Sequence, residues 1–193
     1  MTALGAAIAV DVTPAGGRLA ELANPRPSGA PLTFLLDRRE GAWLKVFLPT
    51  RPNGSEGWVS AADVTVTGVP YRLDVHVDAH RLDLFAYGQL LRSFVIGVGR
   101  AQTPTPGGVF YLVELLRPPD PGGAYGPYAY GLSGHSTTLA SFAGADAVIG
   151  LHGTNEPAAL GHDVSHGCIR LANPDITYLA GLLPLGTPVR ILH

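Results

Sequence analysis

From Tyr71 onward, apolar and polar residues alternate with a period of two. Leu73, Val75 and Val77 interleave with Arg72, Asp74 and His76, and Leu82, Leu84 and Ala86 follow the same rhythm after Asp78-Ala79-His80. Successive side chains of a strand point to opposite faces, so this alternation predicts half-buried strands. Tyr87-Gly88-Gln89 is a turn, and Leu90 to Val98 reads as a third strand, which makes an antiparallel meander. His76 and His80 are expected on its solvent side. The first 66 residues carry shorter apolar runs, Ala6–Val12, Leu32–Leu36, Trp43–Leu48 and Gly57–Val59, separated by turn sequences around Pro25–Gly29 and Arg51–Ser55. Short strands with this punctuation predict a small barrel. A short join from Val66 to Tyr71 divides the chain into residues 1–67 and 68–193.

Further along, Val109-Phe110-Tyr111 is a strand entered through Thr103-Pro104-Thr105-Pro106-Gly107-Gly108. Arg117–Ser136 is rich in Pro, Gly and Tyr and reads as the longest irregular stretch. Its tyrosines Tyr125, Tyr128 and Tyr130 either meet a sugar or peptide with their amphipathic rings or cap the core edge. Ala147–Leu151 reads as a strand carrying His152 to its end, and Asn155–Leu160 as one helical turn stopped by Gly161. Asn173-Pro174 has the form of a helix N-cap followed by proline, with Ile176, Leu179, Leu182 and Leu183 on one face, Pro184 and Gly186 as the stop, and Thr187–Leu192 as a last strand. The fold class expected is mainly β, with a few short helices.

Composition narrows the functional classes. Of 193 residues, 46% are apolar and 15% charged, which suits a packed globular chain. A formal charge of −2 gives no electrostatic case for nucleic acid, and Lys45 is the only lysine among mostly arginine cations. One cysteine excludes an intramolecular disulfide. Thr2–Val12 is apolar but short and lacks a basic start, so it reads neither as a signal peptide nor as a membrane span.

That one cysteine, Cys168, lies sixteen residues after His152 and two after His166, within Ser165-His166-Gly167-Cys168-Ile169-Arg170. A lone cysteine is commonly a small buried hydrophobe. One flanked by His, Gly and Arg is a candidate nucleophile with a base. The thiol is mostly neutral at pH 7 unless perturbed, and an imidazole that takes its proton lowers the barrier to attack. Gly167 removes side-chain bulk beside the thiol, and nearby backbone N–H groups are candidate oxyanion donors. His135, close to the end of the Tyr-rich stretch, is a further residue to bring near the site. His135, His152, His162, His166 and Cys168 are also metal-capable types, yet no His-Glu-x-x-His and no regular ligand spacing occurs, so no metal or other cofactor is expected.

A His, thirteen residues, then His-Gly-Cys, with Gly153-Thr154 after the first His and Ile169-Arg170 after the Cys, resembles the L,D-transpeptidase catalytic domain (YkuD) family from about Pro70 to His193. Thr103–Gly108 resembles that family too, and Trp43-Leu44-Lys45-Val46 with Gly57-Trp58-Val59 resembles a bacterial SH3-like domain, either wall-binding or a brace. The resemblance implies a small SH3-like barrel followed by a mostly antiparallel, sandwich-like catalytic domain. It implies Cys168 as nucleophile, His152 as base, the Gly153 carbonyl as its orienting partner, and His166 and Gly167 as site-shaping residues. Ser165, Arg170, Tyr128, Tyr130 and His135 would meet substrate, with Arg170 either a carboxylate fork or an anchor of the motif loop.

The implied partners are peptidoglycan stem peptides, a tetrapeptide donor and an amine acceptor, with 3→3 cross-links as product and carbapenems as inhibitors. Water as acceptor would give an L,D-carboxypeptidase. A non-catalytic wall-binding protein and a cysteine peptidase are the rival readings. The same resemblance implies work at the cell wall or periplasmic face, with an export signal or anchor outside this stretch.

Overall fold

The computed structural model describes residues 1–142 and 144–193. Two β-sheets, each with its own apolar cluster, account for most of it. The N-terminal sheet comprises β1 (Ala7–Thr13), β2 (Gly16–Ala23), β3 (Leu35–Glu40), β4 (Trp43–Phe47) and β5 (Glu56–Ser60), in the order β2-β1-β5-β4-β3. Ile8, Val10, Leu44, Val46 and Val59 are buried between the strands and the Leu32-Thr33-Phe34 segment. The Leu32–Leu36 strand of the sequence reading starts later, at Leu35, and runs on through the charged residues to Glu40. Strand β2 carries no apolar run, and it forms because it pairs with β1 from Ala7↔Ala23 to Thr13↔Gly16.

The second sheet has eight strands: β6 (Tyr71–His76), β7 (Arg81–Ala86), β8 (Gln89–Val95), β9 (Gly108–Leu116), β10 (Ala129–His135), β11 (Val148–His152), β12 (Ile169–Arg170) and β13 (Pro188–Leu192). Their order is β8-β7-β6-β13-β9-β10-β11-β12. The meander β6-β7-β8 is as expected. The third strand, however, ends at Val95, and Val98-Gly99 leaves it to pair with Asp163–Ser165. Helix α1 (Asn173–Ala180) buries Ile176 and Leu179 on the sheet. Among the described residues no helix is long and apolar enough to cross a membrane.

The chief correction concerns Arg117–Ser136. Its second half is not loop but β10, hydrogen-bonded on both sides within the sheet. The segment Ala129-Tyr130-Gly131-Leu132-Ser133-Gly134-His135 contains two glycines and two small residues, a composition that weakens strand propensity. Its neighbours impose the strand: a Cβ on Gly134 would stand 2.6 Å from the Phe110 ring, so the ring occupies the space a side chain would take.

The outward row of β6 and β7 also departs from a simple solvent face. Asp74 and Asp83 are buried, beneath Arg72 and Arg190 and beneath Arg81 respectively. His76 and His80 are half-buried and paired with Asp83 at 3.1 Å and Asp163 at 2.8 Å. Burial raises the Asp74 carboxyl, but its hydrogen bonds to Arg190 and Arg72 outweigh that and hold it below the usual carboxylate range. A carboxyl depressed in the folded state contributes stability above its unfolded value of roughly 4, lost as pH falls through the folded value. Asp74→Asn should therefore cost about 2 kcal/mol at pH 7, since it strips two arginines of their counter-charge, with their partial exposure reducing the penalty for a fully buried pair. Thermal melts from pH 2 to 7 should show the variant's deficit shrinking below pH 4.

Candidate active site

Strand β11 runs antiparallel to β10 and parallel to β12, with Leu151 opposite Ile169 and His152 opposite Arg170. That pairing brings His152 and Cys168 to one place. The Gly150 N–H donates to the Cys168 sulfur at 3.3 Å. The point a Cβ on Gly150 would occupy lies 3.4 Å from His152 Cδ2 and 3.5 Å from Cys168 Sγ, so this glycine leaves open the gap between imidazole and thiol.

The loop that presents the thiol is tied internally. Ser165 Oγ donates to the Cys168 carbonyl at 2.6 Å and accepts the Gly167 N–H at 3.0 Å. Gly167 has φ +117°, where a side chain is strained, and a Cβ there would meet Ile149 at 3.1 Å. Thr105, from the Thr103–Gly108 segment, accepts the Gly99 N–H at 2.8 Å and donates to the Gly167 carbonyl at 2.9 Å. The Pro- and Thr-rich segment thus braces the cysteine loop from behind.

His152 is 4% exposed. Its Nδ1 lies 2.6 Å from the Gly153 carbonyl oxygen, which can only accept, so Nδ1 carries a proton. Burial pushes the imidazole down to about 4, the carbonyl opposes that, and Arg170 lowers it further. At neutral pH the ring is uncharged and Nε2 holds a lone pair. Burial also pushes the Cys168 thiol up, against the Gly150 N–H and Arg170. The resting pair is therefore a neutral thiol and a neutral imidazole.

Asn173 fixes the backbone after His152. The sequence reading made it the helix N-cap, but Ala172 occupies that position with no side-chain cap. The Asn173 amide oxygen accepts the Thr154 N–H at 2.9 Å, and Gly126 and Gly153 pack against that oxygen so closely that neither tolerates a Cβ. Asn173, Gly126, Thr105 and Gly150 are the site residues the sequence analysis did not single out; only Thr105 lay in a segment tied there to the cysteine motif.

Of the residues proposed to meet substrate, Ser165 and Arg170 line one cavity of about 580 Å³ with His152, Cys168 and the site-shaping His166. Arg170 Nη1 is paired with Glu156 at 3.1 Å, while its Nε is buried without a partner among the described residues. Tyr130 contributes to the cavity wall, but its hydroxyl donates to the Leu179 and Leu183 carbonyls at 3.2 and 2.9 Å, so its ring belongs to the core. Tyr128 packs against the core with Arg117 over its ring, and its carbonyl accepts the Gly153 N–H at 3.3 Å. His135 is buried and paired with Asp146 at 3.1 Å. The tyrosine that does meet the site is Tyr125, 42% exposed, its ring tilted over His152 at 4.8 Å between centroids. His135, His152, His162, His166 and Cys168 form no metal-binding cluster among the described residues.

The L,D-transpeptidase catalytic domain profile, YkuD, matches residues 70–191. The YkuD L,D-transpeptidase homologue of Bacillus licheniformis is 35% identical over 154 residues, which cover 76% of this chain and 85% of that one. An L,D-transpeptidase structure from Mycobacterium tuberculosis H37Rv superposes with a TM-score of 0.54 at 17% identity, covering 96% of this chain and 77% of that one. LdtMt1 in complex with imipenem gives 0.51 at 16%, covering 81% and 97%. These solved structures share the fold, mainly β with a curled sheet. The chain belongs to the YkuD family of L,D-transpeptidase catalytic domains.

Gly150→Ala tests the gap between the two side chains. The added methyl meets its neighbours at ordinary contact distances of 3.4 to 3.6 Å, so the fold should hold, with Tm unchanged within a few degrees. Because the methyl occupies the approach between His152 and Cys168, acylation of the thiol should slow by about 100-fold, as followed by intact mass against time.

Proposed function

We propose that this protein is a peptidoglycan L,D-transpeptidase that works by cysteine acyl transfer. The observation that carries the reading is the convergence of a neutral, Nδ1-protonated His152 with Cys168 in one cavity. His152 Nε2 takes the thiol proton as Cys168 Sγ attacks the carbonyl between the third residue of a tetrapeptide stem and its terminal D-Ala. The carbonyl becomes an oxyanion. Gly167's N–H is committed to Ser165, so the Cys168 N–H, which makes no hydrogen bond among the described residues, is assigned as a donor to it. As the tetrahedral centre collapses, the leaving D-Ala nitrogen takes the proton from His152 and a thioester remains. A side-chain amine of a second stem then gives a proton to His152 and attacks the thioester, which forms the 3→3 amide and restores the thiol. Water in place of that amine gives carboxypeptidase activity.

In this scheme the Gly153 carbonyl orients His152, Tyr125 covers its ring, and His166 shapes the cavity mouth. Arg170 anchors the motif loop through the Glu156 carboxylate instead of forking a carboxylate of the substrate peptide. Ser165 holds the cysteine loop, while Tyr128, Tyr130 and His135 support the site without touching substrate. Residues 1–67 are assigned as an SH3-like brace and 68–193 as the catalytic domain. Peptidoglycan as substrate places the reaction at the cell wall or periplasmic face.

A carbapenem should add one equivalent to the parent and none to Cys168→Ala by intact mass. A folded parent that takes no adduct would sink the mechanism in favour of wall binding. Rates of adduct formation should be lost only as pH falls through about 4, where His152 gains a proton. They should show no thiolate plateau near neutrality, because the thiol is raised.

A further inference from the structure

The cavity floor is built from residues of four neighbouring strands, β9 to β12. Cross-strand partners share a face, so the registers Glu114↔Gly131 and Gly131↔Gly150 place Glu114, Gly131 and Gly150 in one row. The neighbouring row runs Leu116, Ala129, His152 and Arg170. The first row therefore has a carboxylate at one end, the Cys168 thiol at the other, and two glycines between.

Glu114 is aimed along this row by two local features. The register of β9 shifts between Leu112 and Glu114, a bulge of the kind that re-aims a side chain. Gly131 then leaves the space into which the side chain turns, since a Cβ there would stand 2.7 Å from Glu114 Oε1 and 2.9 Å from its Cγ. Among the described residues the Glu114 carboxylate makes no ion pair or hydrogen bond. The other carboxylate on the cavity wall, Asp146, is already shared by Arg51 and His135. An uncompensated carboxylate on a mainly apolar floor selects a cation.

We propose that Glu114 determines donor specificity by binding the terminal ammonium of the side chain on the residue whose carbonyl is attacked, an inference that rests on the acyl-transfer reading. Reach supports the donor over the acceptor. One strand step of roughly 5 Å separates the Gly131 and Gly150 positions, and the latter is 3.5 Å from the sulfur. With the attacked carbonyl at the sulfur, a lysine-like stem of roughly four carbons lies over the glycines and ends at Glu114. The acceptor amine, by contrast, must reach the thioester carbon beside His152, at least two strand steps away from Glu114.

The test is calorimetric binding of a D-Ala-terminated tetrapeptide with a lysine third residue, free or Nε-acetylated, to the full chain bearing Cys168→Ala. The free amine should bind about tenfold more tightly than the acetylated peptide, and adding Glu114→Gln should remove that difference by weakening the free amine alone. Glu114→Lys should turn the preference towards a side-chain-succinylated peptide, a gain that only a folded protein gives. An amine preference that is absent, or that survives Glu114→Gln, overturns the proposal. A carbapenem adduct on the parent without any amine preference overturns this proposal alone; amine preference without the adduct overturns the acyl-transfer reading and leaves the cation site standing.

Discussion

The parallel pairing of β11 with β12 is the constraint on which the site depends. It joins segments about eighteen residues apart at a sheet margin, with His152 across from Arg170 and the Leu171 N–H donating to the His152 carbonyl at 2.8 Å. A parallel pair cannot be closed by a tight hairpin, so the chain must leave β11, travel, and return in the same direction. The travelling segment contains the turn at Pro157–Ala159 and the strand piece Asp163–Ser165, which docks beside Val98-Gly99. Cys168 lies one residue before β12, so its sulfur inherits its position from backbone hydrogen bonds.

Placement by backbone has an electrostatic counterpart. The packing that steadies His152 and Cys168 also removes them from water, and that burial outweighs the Gly153 and Gly150 hydrogen bonds in disfavouring their charged forms. A preformed thiolate–imidazolium pair is opposed chiefly by burial of both groups, and the guanidinium of Arg170 also acts against the imidazolium. The arrangement therefore favours the uncharged forms of both side chains at rest. The Gly150 N–H already points at the sulfur and can follow the charge as it forms.

Residues whose neighbours lie close in sequence were readable before the structure. The alternation from Leu73 to Ala86 gave the meander, and the motif of His152, His166 and Cys168 marked residues that the fold brings to one cavity, because chemistry and period both leave marks in short windows. Strand β10 left none. Gly131 and Gly134 look like loop residues, and their meaning lies in Glu114 and Phe110, residues on another strand that need the missing Cβ space. Asn173 misled for a related reason: its type and the following proline suit a cap, but its amide oxygen is taken by Thr154, nineteen residues earlier. Tyr125 could not be separated from Tyr128 and Tyr130 without knowing which way each faces the sheet.

The turn at Arg51–Ser55 reaches across to the second sheet. Arg51 donates to the Ser136 carbonyl at 2.8 Å and the Leu139 carbonyl at 3.0 Å and pairs with Asp146, while Asn53 exchanges two hydrogen bonds with the backbone of His135. Ser136, Leu139 and Asp146 also line the cavity that holds Cys168. One wall of that cavity is thus hung from the other half of the polypeptide. Evolution is therefore not free to exchange that half as an independent cassette: a replacement domain lacking this arginine–asparagine clasp would alter the shape of a binding site it never touches directly.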